Sequence, residues 1–318
     1  QLKSMEDGLN NFQIIKDFKE NLKMYACLDI GGTSIKVAVG DKFGHLLDHD
    51  TLYVSHELNE FIDAIVEWIE KVKKEYDIEG IAISAPGAVD SKSGIVGGDS
   101  AVPCIHGPNW KEVLFDRTGL KVSIENDANC AALAEVFSGT AKDVDDMMFV
   151  VCGTGIGGAI VKDGKIHKGK NLFGGEFGYM LMADENGRPV NFSEYASTMS
   201  FVRKVRKHYN DNSWDGKKVF EAAENGDEFC IEAIDTFYLN LARGIFNLQH
   251  IYDPEMILLG GSISDRDDFI DKIRDKLEYI ISKIDIKCIT PNISTCTHKK
   301  DANLVGALAN YISEYCDK

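Results

Sequence analysis

Two glycine-rich turns in this sequence have the composition needed to hold phosphate groups. Gly31-Gly32-Thr33 follows an apolar strand that begins at Met24, and Gly153-Thr154-Gly155 follows the apolar run from Met147 to Cys152. Glycine permits positive φ and, because it has no Cβ, lets backbone N–H groups come close to a ligand. The sequence therefore predicts that both turns present backbone donors and a threonine hydroxyl to an anion.

The two turns belong to two copies of one pattern. Each copy reads as an apolar strand, a tight turn, a second strand and a second turn, with the second turns predicted at Gly40-Asp41 and at Asp163-Gly164. Two copies of one such unit in a chain of this length predict two related halves that face each other.

The second turn also satisfies the dinucleotide-binding pattern G-x-G-x-x-G, from Gly153 to Gly158. That pattern holds a pyrophosphate only when a helix follows the loop. Because Ala159 to Val161 reads as a strand, a Rossmann fold is disfavoured. The P-loop pattern G-x-x-x-x-G-K-[ST] is absent from the sequence, which leaves a phosphate site built from β-hairpin turns.

Helices and strands alternate along the rest of the chain, which predicts an α/β fold. On local grounds Asp127 is expected to cap an Ala-rich helix. Further helices and strands are predicted at Leu58–Tyr76, Ile81–Ser84, Ala128–Phe137, Met147–Cys152, Ile234–Leu248, Met256–Leu259 and Asn303–Tyr315.

The composition limits the class of protein. The 318 residues correspond to about two domains, and the 44% hydrophobic and 27% charged residues are typical of a globular protein. A formal net charge of −16 disfavours binding to nucleic acid or to an anionic membrane surface. The longest apolar runs are far shorter than the about 20 residues that a membrane helix needs.

The cysteines and the first residues of the chain give two more expectations. The eight cysteines are scattered through apolar segments with no C-x-x-C pair, so we expect free thiols in a reducing cytoplasm. Residues 1–23 read as an N-terminal extension or leader, with a helical arm as the alternative.

Five motifs in order make the sequence resemble the ROK family of sugar kinases and repressors, from Met24 onward. These motifs are Asp29-Ile-Gly-Gly-Thr-Ser-Ile-Lys36, Glu125-Asn-Asp-Ala-Asn129, Gly153-Thr-Gly-Ile-Gly-Gly158, Gly174-Gly-Glu-Phe-Gly-Tyr-Met180 and Leu259-Gly-Gly-Ser262. The chain looks closest to bacterial glucokinases and β-glucoside kinases.

The resemblance implies an actin-like ATPase (ribonuclease H-like) fold, with two duplicated α/β domains flanking a cleft that binds ATP and sugar. The smaller domain would comprise residues 24–126 plus 302–318, and the larger domain residues 127–301. The resemblance also implies a homodimer.

The resemblance assigns the glycine turns to ATP. Gly31, Gly32 and Thr33 would bind the transferred phosphate, and Gly153, Thr154 and Gly155 would lie on the opposite side of the phosphate chain. Gly260 and Gly261 resemble the glycines on the adenosine side, with simple turn glycines as the alternative.

Two charged residues, Asp29 and Lys36, lie beside the first turn, and each has an alternative interpretation. Asp29 would hold Mg²⁺ through its water shell; the alternative is a buried strand aspartate that backbone donors satisfy. Lys36 is a secondary candidate for the phosphates, because strand alternation could turn its side chain away.

Asp127 is the residue that the resemblance implies as catalytic base. It would accept the proton of a sugar hydroxyl as that oxygen attacks the γ-phosphate of ATP. Asn126, which has a donor and an acceptor on one amide, would bind a sugar hydroxyl beside it.

The sugar side departs from the family pattern. Glu176 falls where family kinases bind sugar hydroxyls, but zinc-bearing members follow it with Gly-His and then a Cys-x-Cys-Gly cluster. This chain has Gly178-Tyr179, and residues 184–191 contain no Cys or His, so we expect no zinc site.

Alignment with the family places Ser193 where many members carry a second sugar-binding glutamate, with Glu194 beside it. Tyr179 could replace the missing histidine as a ring that stacks on the sugar and donates a hydroxyl, with a core tyrosine as the alternative. These departures concern the residues that normally contact the anomeric end of the sugar, so they leave the choice of sugar open.

The leading hypothesis is an ATP-dependent kinase for the 6-hydroxyl of glucose or a glucoside. The alternative is a kinase for N-acetylmannosamine or another N-acylhexosamine, and a non-catalytic sugar sensor is a third hypothesis. A DNA-binding repressor is disfavoured, because the residues before Met24 are too few for a winged helix-turn-helix and the chain is acidic.

Overall fold

The computed structural model of the chain describes residues 23–53, 57–98, 100–184, 186–284 and 287–316. Of the extension expected at residues 1–23, residues 1–22 lie outside them. The chain divides into two compact units: residues up to Phe137 together with those from Lys300 form the first, and Ser138–Lys299 form the second. This division falls after the helix that begins at Asp127, whereas the sequence placed the boundary at Asp127 itself.

The first unit is built on a five-stranded sheet with the order β3-β2-β1-β4-β7. Strands β1 and β2 are antiparallel, as are β2 and β3, whereas β4 is parallel to β1 and to β7. The strands are β1 (Met24–Ile30), β2 (Ile35–Asp41), β3 (Leu46–Leu52), β4 (Ile78–Ala85) and β7 (Lys121–Asn126); a separate two-stranded sheet pairs β5 (Ala88–Asp90) with β6 (Ile95–Gly97).

The second unit repeats this sheet. Its order is β10-β9-β8-β13-β14, with β9 antiparallel to β8 and β10, and β13 parallel to β8 and β14. The strands are β8 (Met147–Cys152), β9 (Ile156–Lys162), β10 (Lys165–Ile166), β13 (Met256–Gly260) and β14 (Ile293–Thr295); a small hairpin adds β11 (Leu181–Ala183) and β12 (Pro189–Asn191). The duplication expected from the glycine-rich turns is confirmed, and the residues after the G-x-G-x-x-G loop form β9 rather than a helix.

Nine α-helices lie within the described residues. They are α1 (Leu58–Val72), α2 (Trp110–Thr118), α3 (Asp127–Ser138), α4 (Phe192–Ala196), α5 (Thr198–Tyr209), α6 (Gly216–Glu224), α7 (Glu228–Tyr252), α8 (Phe269–Lys283) and α9 (Ala302–Tyr315). Each unit has its own buried apolar core of sheet and helix residues, and none of the described helices could span a membrane. All eight cysteines are free thiols.

One predicted turn is wrong, because the turn follows Asp41 instead of including Gly40. Gly40 lies inside β2, where a Cβ would come within 2.9 Å of the Leu308 side chain of α9. Asp41 closes the turn by accepting hydrogen bonds from the N–H groups of Phe43 and His45. The glycine therefore allows a helix to pack on the strand and does not form the turn.

Helix α9 approaches α3 so closely that only glycine fits at the crossing. A Cβ placed on Gly306 would lie 1.6 Å from the carbonyl oxygen of Cys130. We expect Gly306→Ala to lower the free energy of unfolding by about 1–3 kcal/mol, because the helices must move apart. Urea unfolding measures this loss.

The control for this substitution is Ser313→Ala, at an exposed position of the same helix. It should leave stability unchanged or slightly higher, because alanine favours the helix. A Gly306→Ala protein as stable as the wild type would contradict the packing described here.

Candidate active site

Asn126, and not Asp127, caps the N-terminus of α3. The side-chain oxygen of Asn126 accepts a hydrogen bond from the backbone N–H of Asn129 at 3.1 Å, which is the bond an N-cap residue makes. Asp127 is the first residue of the helix itself. The expectation that Asp127 serves as the cap is therefore wrong, and its carboxylate is not needed for that role.

Hydrogen bonds to Oδ1 hold the carboxylate of Asp127 instead. Its Oδ1 accepts hydrogen bonds from Nδ2 of Asn126 at 2.9 Å and from the N–H of Ala128 at 2.8 Å. Nδ2 of Asn126 also donates to the carbonyl of Gly87, which follows β4, at 3.0 Å. A partly buried carboxylate at a helix N-terminus, where negative charge is favourable, is thus fixed in orientation.

Glu125 stabilises this arrangement, although its place in the sequence predicted no role for it. It is buried, and its Oε1 accepts from the N–H of Asn126 at 2.8 Å and from Nδ2 of Asn129 at 3.0 Å. The Glu-Asn-Asp-Ala-Asn motif is therefore one hydrogen-bonded network around the start of α3.

Asp29 is a buried strand aspartate satisfied by side chains, not by the backbone donors considered above. Its Oδ1 accepts from the hydroxyl of Ser84 and from Nδ2 of Asn303, each at 3.0 Å. Asp29 faces Lys36 directly across the β1–β2 pair, and the ammonium lies 3.9 Å from Oδ2. Lys36 is therefore on the same side of the sheet as Asp29.

The carboxylate of Asp29 fits a magnesium ion whose other ligands are waters and phosphates. Mg²⁺ is usually held by one or two carboxylates, several waters and substrate phosphates, and Asp29 supplies one carboxylate. No group of three or more His, Cys, Asp or Glu side chains in the described part of the chain could hold a metal on its own.

The first glycine turn is open to solvent. Gly31, Gly32 and Thr33 are exposed, and the N–H of Gly31 closes the turn by donating to the carbonyl of Ser34 at 2.9 Å. The hairpin between β1 and β2 thus presents this segment at the end of the strand that carries Asp29.

The second glycine turn is anchored by a residue that the sequence analysis missed. The carbonyl of Gly153 accepts two hydrogen bonds from Thr198 at the start of α5, from its N–H at 2.9 Å and from its hydroxyl at 2.6 Å. A Cβ on Gly153 would meet no atom within 4 Å. The turn, with exposed Thr154 at its tip, is therefore fixed from one side and open on the other.

Ser193 fixes the end of the same turn. Its hydroxyl donates to the carbonyl of Ile156 at 3.1 Å and accepts from the N–H of Ile156 at 2.7 Å. The proton of the hydroxyl is thus already used, so only its remaining acceptor capacity is left for a sugar. A sugar-binding role for Ser193 stays a prediction.

Glu176 and Tyr179 lie in the second unit with exposed side chains. Partial burial by the surrounding protein raises the pKa of the Glu176 carboxyl. Tyr179 is 70% exposed, so the alternative of a core tyrosine is wrong. Glu194 is also exposed, in α4, where its N–H donates to the capping side chain of Asn191.

A charged turn closes the β11–β12 hairpin, in the region where zinc-bearing members carry their cysteines. Asp184 accepts from the N–H groups of Asn186 and Arg188, and Nε of Arg188 lies 3.1 Å from its second oxygen. The hydrogen bond from the Arg188 N–H is the largest cause that lowers the pKa of Asp184. Hydrogen bonds thus order this hairpin.

Gly260 and Gly261 are required by packing. Gly261 has φ of 96°, and a Cβ there would lie 2.1 Å from the carbonyl oxygen of Cys152. A Cβ on Gly260 would come within 2.8 Å of the Phe149 ring. Both glycines therefore let the end of β13 lie against β8, whatever ligand binds nearby.

A cavity of about 640 Å³ opens beside the second turn, within the second unit. This volume is in the range of small-molecule sites. The guanidinium of Arg266 lies 4.0 Å from the ring centre of Phe220, and Thr154 and Ser262 line the same cavity. A flat aromatic base would fit such a pocket, which the sequence analysis did not identify.

The chain is similar in sequence to a family of known proteins over most of its length. Residues 25–313 match the model of the ROK family. The beta-glucoside kinase of Klebsiella pneumoniae is 33% identical over 298 residues, which cover 91% of this chain and 96% of that protein.

Three solved structures are also similar. A ROK family protein from Streptococcus pneumoniae in complex with sucrose has 40% identity and a TM-score of 0.85, and the match covers 92% of this chain and 98% of that one. A putative N-acetylmannosamine kinase from Listeria monocytogenes has 32% identity, a TM-score of 0.80 and coverage of 92% and 99%. A Streptomyces griseus glucokinase with glucose and AMPPNP has 26% identity, a TM-score of 0.73 and coverage of 90% and 98%.

The bracing role of Ser193, which is to hold the backbone of Ile156 by two hydrogen bonds, can be tested by measuring the free energy of unfolding. We expect Ser193→Ala to lower the free energy of unfolding by about 1–3 kcal/mol, because the buried N–H of Ile156 loses its partner. The control is Ser197→Ala, since the buried hydroxyl of Ser197 has no hydrogen-bond partner. Equal effects of both substitutions on thermal or urea unfolding would contradict the bracing role.

Proposed function

The chain belongs to the ROK family and has the actin-like α/β fold of its kinases, and from that premise we propose that it is an ATP-dependent sugar kinase. It transfers the γ-phosphate of ATP to the 6-hydroxyl of glucose or of a glucoside. The observation that carries this proposal is the Asp127 carboxylate, which Asn126 holds in one orientation while itself capping α3.

Asp127 is the catalytic base in this proposal. Phosphoryl transfer needs little covalent chemistry from the protein, so the enzyme must orient the attacking hydroxyl and accept its proton. The Asn126 amide and the Ala128 N–H hold Oδ1 of Asp127, which fixes the direction from which a hydroxyl can approach. Both amide hydrogens of Asn126 are used by Gly87 and Asp127, so Asn126 is assigned to a neighbouring sugar hydroxyl only through the remaining acceptor capacity of its oxygen.

The glycine turns bind the phosphates of ATP. Gly31, Gly32 and Thr33 in the first unit, and Gly153, Thr154 and Gly155 in the second, offer backbone and hydroxyl donors. Lys36 and Asp29 stand beside the first turn, and Asp29 would orient the water shell of Mg²⁺, an ion that neutralises phosphate charge when bound. Few cationic side chains are needed in such a site, which agrees with the acidic chain.

The adenine base occupies the cavity beside the second turn. The guanidinium of Arg266 lies over the Phe220 ring, and this stacked pair offers a flat surface to one face of the base. Gly260 and Gly261 contribute by bringing the segment from Ser262 to Arg266 to the cavity wall.

The sugar is glucose or a β-glucoside, bound with Glu176, Tyr179 and Glu194 in the second unit and with Ser193 as an acceptor only. The similarity to a beta-glucoside kinase and to a protein that holds sucrose, a disaccharide, favours a substrate with a group attached to its anomeric carbon. The N-acylhexosamine alternative has one similar structure, itself described as a putative N-acetylmannosamine kinase. No described contact at Glu176 or Tyr179 favours an acyl group.

The remaining assignments are a homodimer in a reducing cytoplasm, with a small sugar as partner and neither nucleic acid nor membrane bound. The free thiols and the charge of −16 support this location and this choice of partner. The homodimer rests on the family, and light scattering of the purified protein tests it.

The central test is Asp127→Asn. We expect kcat for ADP formation with glucose to fall by about 10²–10⁴-fold, because the base is lost, while the KM for glucose changes little. Stability should change by no more than about 1 kcal/mol, the size of a charge–dipole contribution, because Asn126 keeps the cap.

The matched control is Asp116→Asn, an exposed aspartate on α2 of the same unit, which should retain full activity. An Asp127→Asn enzyme with wild-type kcat would overturn the assignment of the base.

The raised pKa of Glu176 predicts a pH-dependent affinity for the sugar. The ionised carboxylate accepts hydroxyl hydrogen bonds, and protonation removes acceptor capacity. Because burial raises this pKa above the ordinary value for glutamate, KM for glucose should rise as the pH falls towards it, with the onset at a higher pH than for an ordinary glutamate.

Glu176→Gln supplies the comparison, since it cannot ionise. Its KM for glucose should be higher at neutral pH and nearly independent of pH in the acid range. Identical pH profiles of KM for the two proteins would exclude Glu176 from sugar binding.

A further inference from the structure

Two aromatic rings in the second unit are exposed side by side, and one of them, Phe173, has no function so far. Phe173 is 60% exposed and Tyr179 is 70% exposed, and their ring centres lie 6.2 Å apart with planes inclined by 55°. Exposed Glu176 lies between them in the chain, and its backbone binds both residues: its N–H donates to the Phe173 carbonyl and its carbonyl accepts from the Tyr179 N–H. Exposed apolar groups that adjoin one another mark binding sites more often than single exposed residues do.

The loop that carries these rings is fixed to the sheet beneath it. Phe177 is buried, and a Cβ on Gly158 of β9 would lie 2.4 Å from its ring. Gly175 has φ of 93°, and a Cβ there would come within 2.8 Å of Ala159. Close contacts at both places hold the loop against β9, so the two rings are presented by an ordered segment.

The residue before Phe173 adopts a costly backbone conformation. Leu172 has φ of 65°, a region that residues with bulky side chains rarely occupy. Such strain persists where the surrounding structure enforces it, and it is concentrated at ligand sites. Here it turns the chain directly before the exposed ring of Phe173.

We propose that Phe173 and Tyr179 form a second subsite that stacks on the ring attached at C1 of a β-glucoside. This proposal rests on the kinase function above and extends it to a residue, Phe173, that no motif assigns. Aromatic side chains offer flat apolar faces, and the C–H face of a pyranose or an aryl group packs well against them.

The chemistry of the substrate places such a subsite away from the reaction. The phosphate is transferred to the 6-hydroxyl, whereas the attached ring is on C1, at the other end of the glucose unit. A kinase for glucosides must therefore leave the C1 end open towards a surface that can cover the attached ring. The exposed pair beside Glu176 meets that requirement.

Ser193 leaves room for the attached ring. Its short side chain is folded back onto the backbone of Ile156 by two hydrogen bonds. A side chain held in this way cannot extend over the anomeric oxygen, so it does not compete with a substituent on C1.

The test compares substrates with and without the attached ring. Phe173→Ala should leave kcat/KM for glucose and methyl β-glucoside within about 2-fold of the wild type. For phenyl β-glucoside and cellobiose, KM should rise about 5- to 30-fold, which corresponds to a loss of about 1–2 kcal/mol of binding free energy, with kcat unchanged. Phe173→Tyr, which keeps the ring, should restore the wild-type KM.

The matched control is Phe43→Ala, which removes a ring of nearly equal exposure, 58%, in the first unit. It should affect none of the four substrates. Equal effects of Phe173→Ala on glucose and on phenyl β-glucoside, or no effect on either, would overturn the subsite. A lower mass of Phe173→Ala in solution would also reject it, because the rings would then form an interface between copies.

Failure of the kinase function is distinguishable from failure of the subsite. If the wild type phosphorylates none of the four sugars, the proposed function fails. Calorimetry then compares the binding of phenyl and methyl β-glucoside. Tighter binding of the phenyl compound by the wild type, lost in Phe173→Ala, would support the subsite, and equal binding would reject it.

Discussion

The proposed chemistry depends on two neighbouring residues at the start of α3: Asn126 caps the helix, and Asp127 offers its carboxylate. A helix leaves its first N–H groups without partners, and a polar side chain must satisfy one of them. Asn126 does this with its amide oxygen and uses its amide nitrogen to hold Asp127. Oδ1 of Asp127 also accepts from the N–H of Ala128, but because Asn126 provides the cap, the Asp127 carboxylate is not needed to satisfy the N–H of Asn129. The buried carboxylate of Glu125 fixes the backbone of Asn126 and the side chain of Asn129 by two hydrogen bonds.

In the second unit, hydrogen bonds from other residues likewise hold a glycine turn in place. Gly153 has no side chain, so one side of the turn is open. Without further contacts the backbone there would be flexible. Thr198 and Ser193, which come from a later part of the chain, bind the turn at Gly153 and Ile156. The turn is thus fixed by hydrogen bonds from residues that are distant in the sequence.

The duplicated fold could be predicted because its signal is local: strand, glycine turn and strand recur with the same residue types. The G-x-G-x-x-G loop was correctly separated from a Rossmann fold because Ala159 to Val161 lacks helical character. The capping role of Asn126 was missed because Asn and Asp are equally good caps and only the backbone decides between them. Phe220 and Arg266 gave no signal, since they are far apart in the chain and meet only in the folded unit.

A double-mutant cycle of Asn126→Ala and Asp127→Asn tests the central claim most directly, with kcat for sugar-dependent ADP formation as the measured quantity. The amide nitrogen of Asn126 acts on kcat by holding Asp127, whereas a contact of its amide oxygen with the sugar would act on KM. In kcat, the double variant should therefore be no slower than Asp127→Asn alone, and the two effects on the activation free energy should be far from additive. Additive effects would mean that Asn126 does not hold the catalytic carboxylate and would contradict the account.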